Sequence, residues 1–225
     1  SGPCGVTLSY TAPVGTDNCS AVTSLAGGQG SAANYYEYGG TYTETWLVTD
    51  ASGNTAMCSF TITVADPVPP VITCPVSVTV PNDAGVCGAT VTFANPIATD
   101  NCPGYTVTQT MGLPSGSVFP LGTTTVAFTI TDDMGTTTSC MFDVTVEDTE
   151  APVITTCPAA RNLVADASCM AMVPALTTEV VAMDNCSLVG ALTVSQSPAA
   201  GTAFGGAHGD TQVVVMTVTD EAGNS

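Results

Sequence analysis

The sequence predicts an all-β chain of tandem, disulfide-stapled sandwich repeats of about 83 residues, and three observations lead there. Composition is the first: 22 Gly and 15 Pro among 225 residues, abundant Val and Thr, and only 9% charged residues, the profile of short strands joined by tight turns. Periodicity is the second. Apolar and polar residues alternate over short stretches, no window sustains a 3.6-residue apolar period, and no apolar run approaches the roughly 18 residues that cross a bilayer. The third is self-similarity: Asp17-Asn18-Cys19, Asp100-Asn101-Cys102 and Asp184-Asn185-Cys186 recur at intervals of 83 and 84 residues.

Other landmarks keep step. Cys4, Cys87 and Cys169 recur at 83 and 82 residues, Cys58 and Cys140 at 82, and Cys74-Pro75 and Cys157-Pro158 at 83. One turn appears three times, as Thr49-Asp50-Ala51-Ser52-Gly53-Asn54, Thr131-Asp132-Asp133-Met134-Gly135 and Thr219-Asp220-Glu221-Ala222-Gly223-Asn224. The repeats are placed at 1–66, 67–149 and 150–225, the first without an initial strand and the third without a final one. With no initiator Met or signal peptide, that pattern is expected of a piece of a longer chain.

The middle repeat yields the strands. Val76, Val78 and Val80 alternate with Ser77 and Thr79; Pro81-Asn82-Asp83-Ala84-Gly85 turns the chain. Cys87, Ala89, Val91 and Phe93 share one face of the next strand, and Tyr105 and Val107 begin another. Val126, Phe128 and Ile130 face inward in a late strand, followed by Cys140, Phe142, Val144 and Val146 in the last. About seven short strands in such a length suit two sheets packed on one core. Trp46 occupies the position of Phe128 and is expected in the core.

Pro-Val-Ile-Thr-Cys-Pro, a second Cys beside Gly, Asp-Asn-Cys, Phe-Pro-Leu-Gly-Thr-Thr-Thr-Val, Thr-Asp-x-x-Gly and Cys-x-Phe-x-Val-Thr-Val follow one another in the middle repeat. In that order they resemble the hyalin repeat (HYR) family over nearly the whole chain. The resemblance implies tandem Ig-like modules on secreted and cell-surface adhesive proteins. Repeat one lacks the Phe-Pro-x-Gly segment, and repeat three has Phe204-Gly205-Gly206 in its place.

Ten cysteines without catalytic partners or paired CxxC spacing imply disulfides and an oxidising, extracellular compartment. Four cysteines per complete repeat allow three pairings. In an Ig-like module the first and last strands run side by side, so Cys74 with Cys140 is favoured, leaving Cys87 with Cys102. By repetition Cys4, Cys19, Cys169 and Cys186 are disulfide candidates too.

Nineteen acidic residues against the single basic Arg161 give a net charge of −18. Such a field repels nucleic acid and anionic lipid and attracts cations. The acids gather where repeats meet: Asp66 in the Pro-rich linker faces Asp100, Asn101 and Asp132, and Asp148 faces Asp184, Asn185 and Asp220. Calcium takes six to eight oxygen ligands, and two or three carboxylates with amide carbonyls supply them. The arrangement is analogous to the calcium-rigidified junctions of cadherins. Plain turn chemistry is the competing reading, since Asp and Asn cap turns by binding nearby backbone.

Catalysis has little support. His208, the single histidine, sits in a Gly-rich loop that the other repeats do not match, and no triad is assembled around it. The expected role is a stalk or filament segment whose partners are flanking repeats or copies of itself. The alternative is a module that binds glycans or proteins, for which Tyr35, Tyr36 and Tyr38 are the candidate contacts.

Overall fold

The computed structural model describes residues 4–205 and 209–225, so His208 lies outside the described residues. Nineteen strands and one 3-10 turn, Thr177–Glu179, make up its regular structure, and no α-helix occurs among the described residues. Repeat one holds β1 (Gly5–Leu8), β2 (Ala21–Gly27), β3 (Asn34–Glu37), β4 (Thr41–Asp50) and β5 (Thr55–Thr63). Repeat two holds β6 (Val71–Thr73), β7 (Val78–Pro81), β8 (Gly88–Val91), β9 (Ile97–Thr99), β10 (Thr106–Met111), β11 (Ser117–Pro120), β12 (Gly122–Thr131) and β13 (Thr137–Glu147). In repeat three follow β14 (Val153–Thr156), β15 (Met170–Met172), β16 (Val181–Met183), β17 (Thr193–Ser197), β18 (Ala203–Gly205) and β19 (Val215–Thr219).

The same pairings recur. β2-β4-β5 forms one sheet of repeat one and β10-β12-β13-β7 its counterpart in repeat two, while β1 pairs with β3 as β8 does with β11 and β15 with β18. Period-2 alternation explains the burial. Val126, Phe128 and Ile130 on β12 and Phe142, Val144 and Val146 on β13 are buried; Thr129, Asp143 and Thr145 between them are less so, while the small Ala127 is buried too. Trp46 is buried at the Phe128 position. Val76 departs from expectation: it precedes β7 and is 87% exposed, so the inward alternation starts at Val78.

Chain compaction does not follow the repeat period. One compact unit comprises Ser1–Pro75, Asn95–Gly112 and Val126–Phe142, the other Val76–Ala94, Leu113–Thr125 and Asp143–Ser225. In the second unit β13 runs parallel to β7, with Val144 beside Val78 and Val146 beside Val80. Cys140 and Cys74 each lie four residues before that ladder, an equal offset that keeps them neighbours in a parallel pair. They form a disulfide in the first unit with Cα atoms 5.6 Å apart.

The other two disulfides correct the expected Cys87–Cys102 pair. Cys102 bonds Cys4 of repeat one, and Cys87 bonds Cys186 of repeat three, at Cα separations of 5.3 and 4.8 Å. The chain from Cys87 to Cys102 runs through β8, which pairs with β11, and β9, which pairs with β6, so two different sheets hold its two ends. Cys19 and Cys169, also disulfide candidates, are free and exposed, as are Cys58 and Cys157.

The Cys-Gly pair has a steric reason. A Cβ on Gly5 would stand 2.4 Å from the Tyr36 carbonyl oxygen, and one on Gly88 2.7 Å from that of Phe119, so the paired strand admits no side chain. In repeat three Met170 takes this position and its ladder partner is Gly205, so the glycine has crossed to the other strand. The same ladders align Tyr36-Glu37-Tyr38-Gly39 with Phe119-Pro120-Leu121-Gly122; repeat one therefore keeps the Phe-Pro-x-Gly segment in altered form.

Candidate metal centres

Each recurrent acid reaches its place by a local turn. Asp132 Oδ1 accepts the N–H groups of Met134 and Thr136 at 2.9 and 2.7 Å, and Asp50 and Asp220 serve their turns likewise. Gly53, Gly135 and Gly223 complete these turns at φ of 88°, 85° and 95°, the left-handed region that glycine enters freely. In the Asp-Asn-Cys loop, Asp184 Oδ2 accepts the N–H groups of Cys186 and Ser187 at 2.8 and 2.7 Å. Turn chemistry therefore occupies one carboxylate oxygen of Asp132 and one of Asp184.

It leaves the others unused. Asp132 is 6% exposed, yet its Oδ2 has no hydrogen-bond partner, and the buried Asp184 Oδ1 and Asp100 Oδ1 have none either. A buried acceptor without a donor costs about 1–3 kcal/mol, more when charged. Such oxygens are what a bound cation would satisfy.

In the second unit Asp148, Asp184 and Asp220 come together, each offering an oxygen within 4.8 Å of the others. Desolvation first, and then the charges of Asp184, Asp220 and Glu150, push the Asp148 carboxyl up against one opposing N–H bond from Glu150. Asp220 is desolvated as well, but bonds from Asn224 outweigh that and hold it below the ordinary carboxylate range. Asn224 Nδ2 also donates to the Asp148 carbonyl oxygen at 3.1 Å, fixing the linker to the turn. Asn185, the other expected ligand, donates its amide to the Val86 carbonyl oxygen at 3.3 Å. Among the described residues no side-chain cation relieves this cluster, because Arg161 is paired with Glu179.

The first unit arranges the equivalent residues differently. Asn101 Nδ2 holds Asp66 through both carboxylate oxygens at 3.2 and 3.0 Å, while Asp66, Asp100 and Asp132 do not converge on one point as the later triad does. Cys4, Asp66 and Cys102 do approach one another, but the two sulfurs are bonded together and offer no thiolate. The Tyr38 hydroxyl is buried here without a partner. Desolvation, then the charges of Asp132, Asp66, Asp133 and Asp100, keep its phenol protonated well above neutral pH.

Of the tyrosines expected to bind a ligand, Tyr36 is placed otherwise. Tyr36 has no exposed surface and donates its hydroxyl to Glu44, so it is a core residue and offers no stacking face; Tyr35 is 37% exposed. This buried Glu44 is the polar centre that sequence reasoning missed. Its carboxylate accepts Tyr10 Oη at 2.9 Å, Tyr36 Oη at 3.1 Å, and the N–H groups of Gln29 and Gly30 at 2.9 and 2.8 Å. Desolvation raises its pKa, and these four donors more than reverse that, leaving it below the usual carboxylate range. Gly28 lines the cradle at φ 99°, where a Cβ would lie 2.4 Å from the carboxylate.

Comparison with known proteins bears most directly on the first two repeats. A family model described as the HYR domain matches residues 1–64 and 65–146. Hyalin of Lytechinus variegatus is 35% identical over 156 residues, 67% of this chain and 29% of that protein. Hyalin of Strongylocentrotus purpuratus is 35% identical over 125 residues, 53% of this chain and 10% of that protein, so the chain spans less than a third of either relative. Among solved structures, the protocadherin gammaB7 EC3-6 cis-dimer covers 98% of this chain and 72% of its own at 17% identity and a TM-score of 0.35. Drosophila N-cadherin EC1-4 covers 98% and 67% at 13% identity and a TM-score of 0.36. Superpositions this loose transfer no site.

Proposed function

Because the chain belongs to the HYR domain family, we propose that it is a segment of an extracellular adhesive or structural array. In this reading the repeats are residues 1–66, 67–149 and 150–225, and their boundaries are rigidified by calcium. Repetition supplies length, and the partners are neighbouring repeats of the same polypeptide or of another copy.

The observation that carries the calcium reading is the Asp148, Asp184 and Asp220 triad together with the buried, partnerless Asp184 Oδ1. Hard oxygen donors with no imidazole or thiolate suit calcium rather than a soft metal. Asp148, Asp184, Asn185 and Asp220 would hold one ion as they stand, and Asp66, Asp100, Asn101 and Asp132 would hold another once an ion draws their unconverged carboxylates together. A bound cation would neutralise carboxylates that otherwise repel. The chain's own residues do the positioning: Asn224 ties the Asp148 backbone to the Asp220 turn, and Asn101 holds Asp66.

Thermal unfolding after chelation and calcium re-addition tests this. At about 100 times the dissociation constant, a ligand bound to the folded state adds about 2.7 kcal/mol. The expected result is a rise in melting temperature that Asp184→Asn removes for the second site. No calcium-dependent rise in the unsubstituted chain would end the proposal.

A further inference from the structure

In the first unit three oxygens are buried without a hydrogen-bond partner: Asp132 Oδ2, Asp100 Oδ1 and the Tyr38 hydroxyl. The two carboxylates already stand among the ligands of the first ion, and turn chemistry gives the hydroxyl nothing to do. Building on the calcium reading, we propose that the Tyr38 hydroxyl oxygen enters the ligand shell of the first-unit ion as a neutral donor beside Asp66, Asp100 and Asp132.

The fold does not require this hydroxyl. The strand ladders that match Gly5 with Glu37 and Gly88 with Pro120 place Leu121 of repeat two where repeat one has Tyr38, so carbon alone serves the position. A buried hydroxyl with nothing to bond is destabilising, which leaves a bound group as the reason for its presence. The backbone fixes the ring. Tyr38 N–H donates to the Cys4 carbonyl oxygen at 2.9 Å, and Gly39 N–H to that of Val64 at 3.2 Å. Tyr38, Asp66 and Asn101 line one hollow of about 350 Å³, so the phenol faces the same space as two expected ligands. Beyond its desolvation, the hydroxyl feels Asp132 most, then Asp66, Asp133 and Asp100.

Electrostatics favours a neutral oxygen at this place. Asp66, Asp100 and Asp132 set three negative charges against the ion's two, so a fourth carboxylate would add repulsion. A phenol, with an ordinary pKa of about 10, fills one of the six to eight oxygen positions of calcium without adding charge. Its O–H stays available to donate to a ligating carboxylate.

Tyr38→Phe removes the oxygen and keeps the ring. It is made in the full chain carrying Asp184→Asn, which isolates the first ion, and calcium is titrated by calorimetry after chelation. Tyr38→Phe should weaken calcium binding about tenfold or more, within the range that loss of a group supporting a metal site commonly produces. Thermal unfolding in chelator gives a second reading that a merely structural hydroxyl would reverse. Without calcium, Tyr38→Phe should melt no lower than its parent, because it discards an unsatisfied group, while its calcium-induced rise shrinks. Three results would each overturn the assignment and leave the second ion standing: unchanged affinity, a fall in the calcium-free melting temperature, or an Asp184→Asn chain that binds no calcium while the unsubstituted chain does. No calcium binding by the unsubstituted chain would instead end the calcium reading itself, and the role of Tyr38 with it.

Discussion

Replacing Glu44 by Val places in repeat one the residue type that repeat two carries at the matching position, Val126. Removing a lone buried charge often costs nothing, but this carboxylate is not alone. The Gly30 N–H and the Tyr36 hydroxyl are buried and bond only to it among the hydrogen bonds described, and the Gln29 N–H and Tyr10 hydroxyl are partly so. Orphaning the two buried donors costs about 1–3 kcal/mol each, so roughly 2–6 kcal/mol in all. At about 4–8 °C per kcal/mol for a domain of this size, the transition should fall by about 10 °C or more. The assay is specific to repeat one. Trp46 is the single tryptophan, and its Nε1 donates to the Tyr10 hydroxyl at 3.3 Å, so its fluorescence follows this network. The pH sign is also determined. Folded Glu44 titrates below its unfolded value, so its contribution is full above the unfolded pKa of about 4.3 and fades as pH falls through the folded one. Glu44→Gln should therefore flatten the acid limb of the Trp46 transition. A Glu44→Val chain as stable as the parent would refute the reasoning.

Gly88→Ala should destabilise the second unit by about 1–3 kcal/mol, because the added Cβ meets the Phe119 carbonyl oxygen at 2.7 Å; urea unfolding measures it, and a neutral result would show that β8 shifts freely. Single-molecule pulling should show an increase in extension from repeat two only after reduction, because Cys74–Cys140 closes a span of 66 residues; in equilibrium terms that bond contributes about 4 kcal/mol by loop entropy. Calcium binding to the second unit should weaken on acidification sooner than ordinary carboxylates would dictate, because Asp148 titrates upward and its protonated form no longer ligates; calorimetry across mildly acidic pH reads this.

Alternation made β12 and β13 legible from sequence, because each buries one face and a period of two is visible residue by residue. The disulfide ladder was not legible, for an arithmetic reason. Cys4 and Cys102 are 98 residues apart, one repeat plus the 15 that separate Cys87 from Cys102, so periodicity alone gives the same signal for a bond within a repeat and one to its neighbour. What distinguishes them is strand pairing, β8 with β11 and β9 with β6 in different sheets, which periodicity does not show. Glu44 left a signal that went unused: it interrupts the apolar alternation of Tyr42, Trp46 and Val48 at a position where repeat two has Val. The carboxylates stood out by charge and spacing, but which oxygens a turn would consume depends on backbone geometry, and that separates Asp132 Oδ1 from the idle Oδ2.

Disulfide and carboxylates occupy the same boundary, and this has a thermodynamic consequence. Cys186 follows Asp184 and Asn185 directly, and its N–H is held by Asp184. The Cys87–Cys186 bond therefore tethers the loop that carries one member of the triad, and cutting it frees that loop to move away from like charges at Asp148 and Asp220. If calcium binds the assembled triad better than the loosened one, reduction must lower calcium affinity by some factor. Linkage then requires that saturating calcium make the bond harder to reduce by the same factor. Calorimetric titration of oxidised and reduced chain gives one side, and redox equilibration against glutathione with and without calcium gives the other. Couplings of this kind run to about 1–3 kcal/mol, or 5- to 150-fold. Equal affinities in both redox states, measured on folded protein with Cys74–Cys140 intact, would mean that the triad holds its shape without the bond and that the two devices act independently.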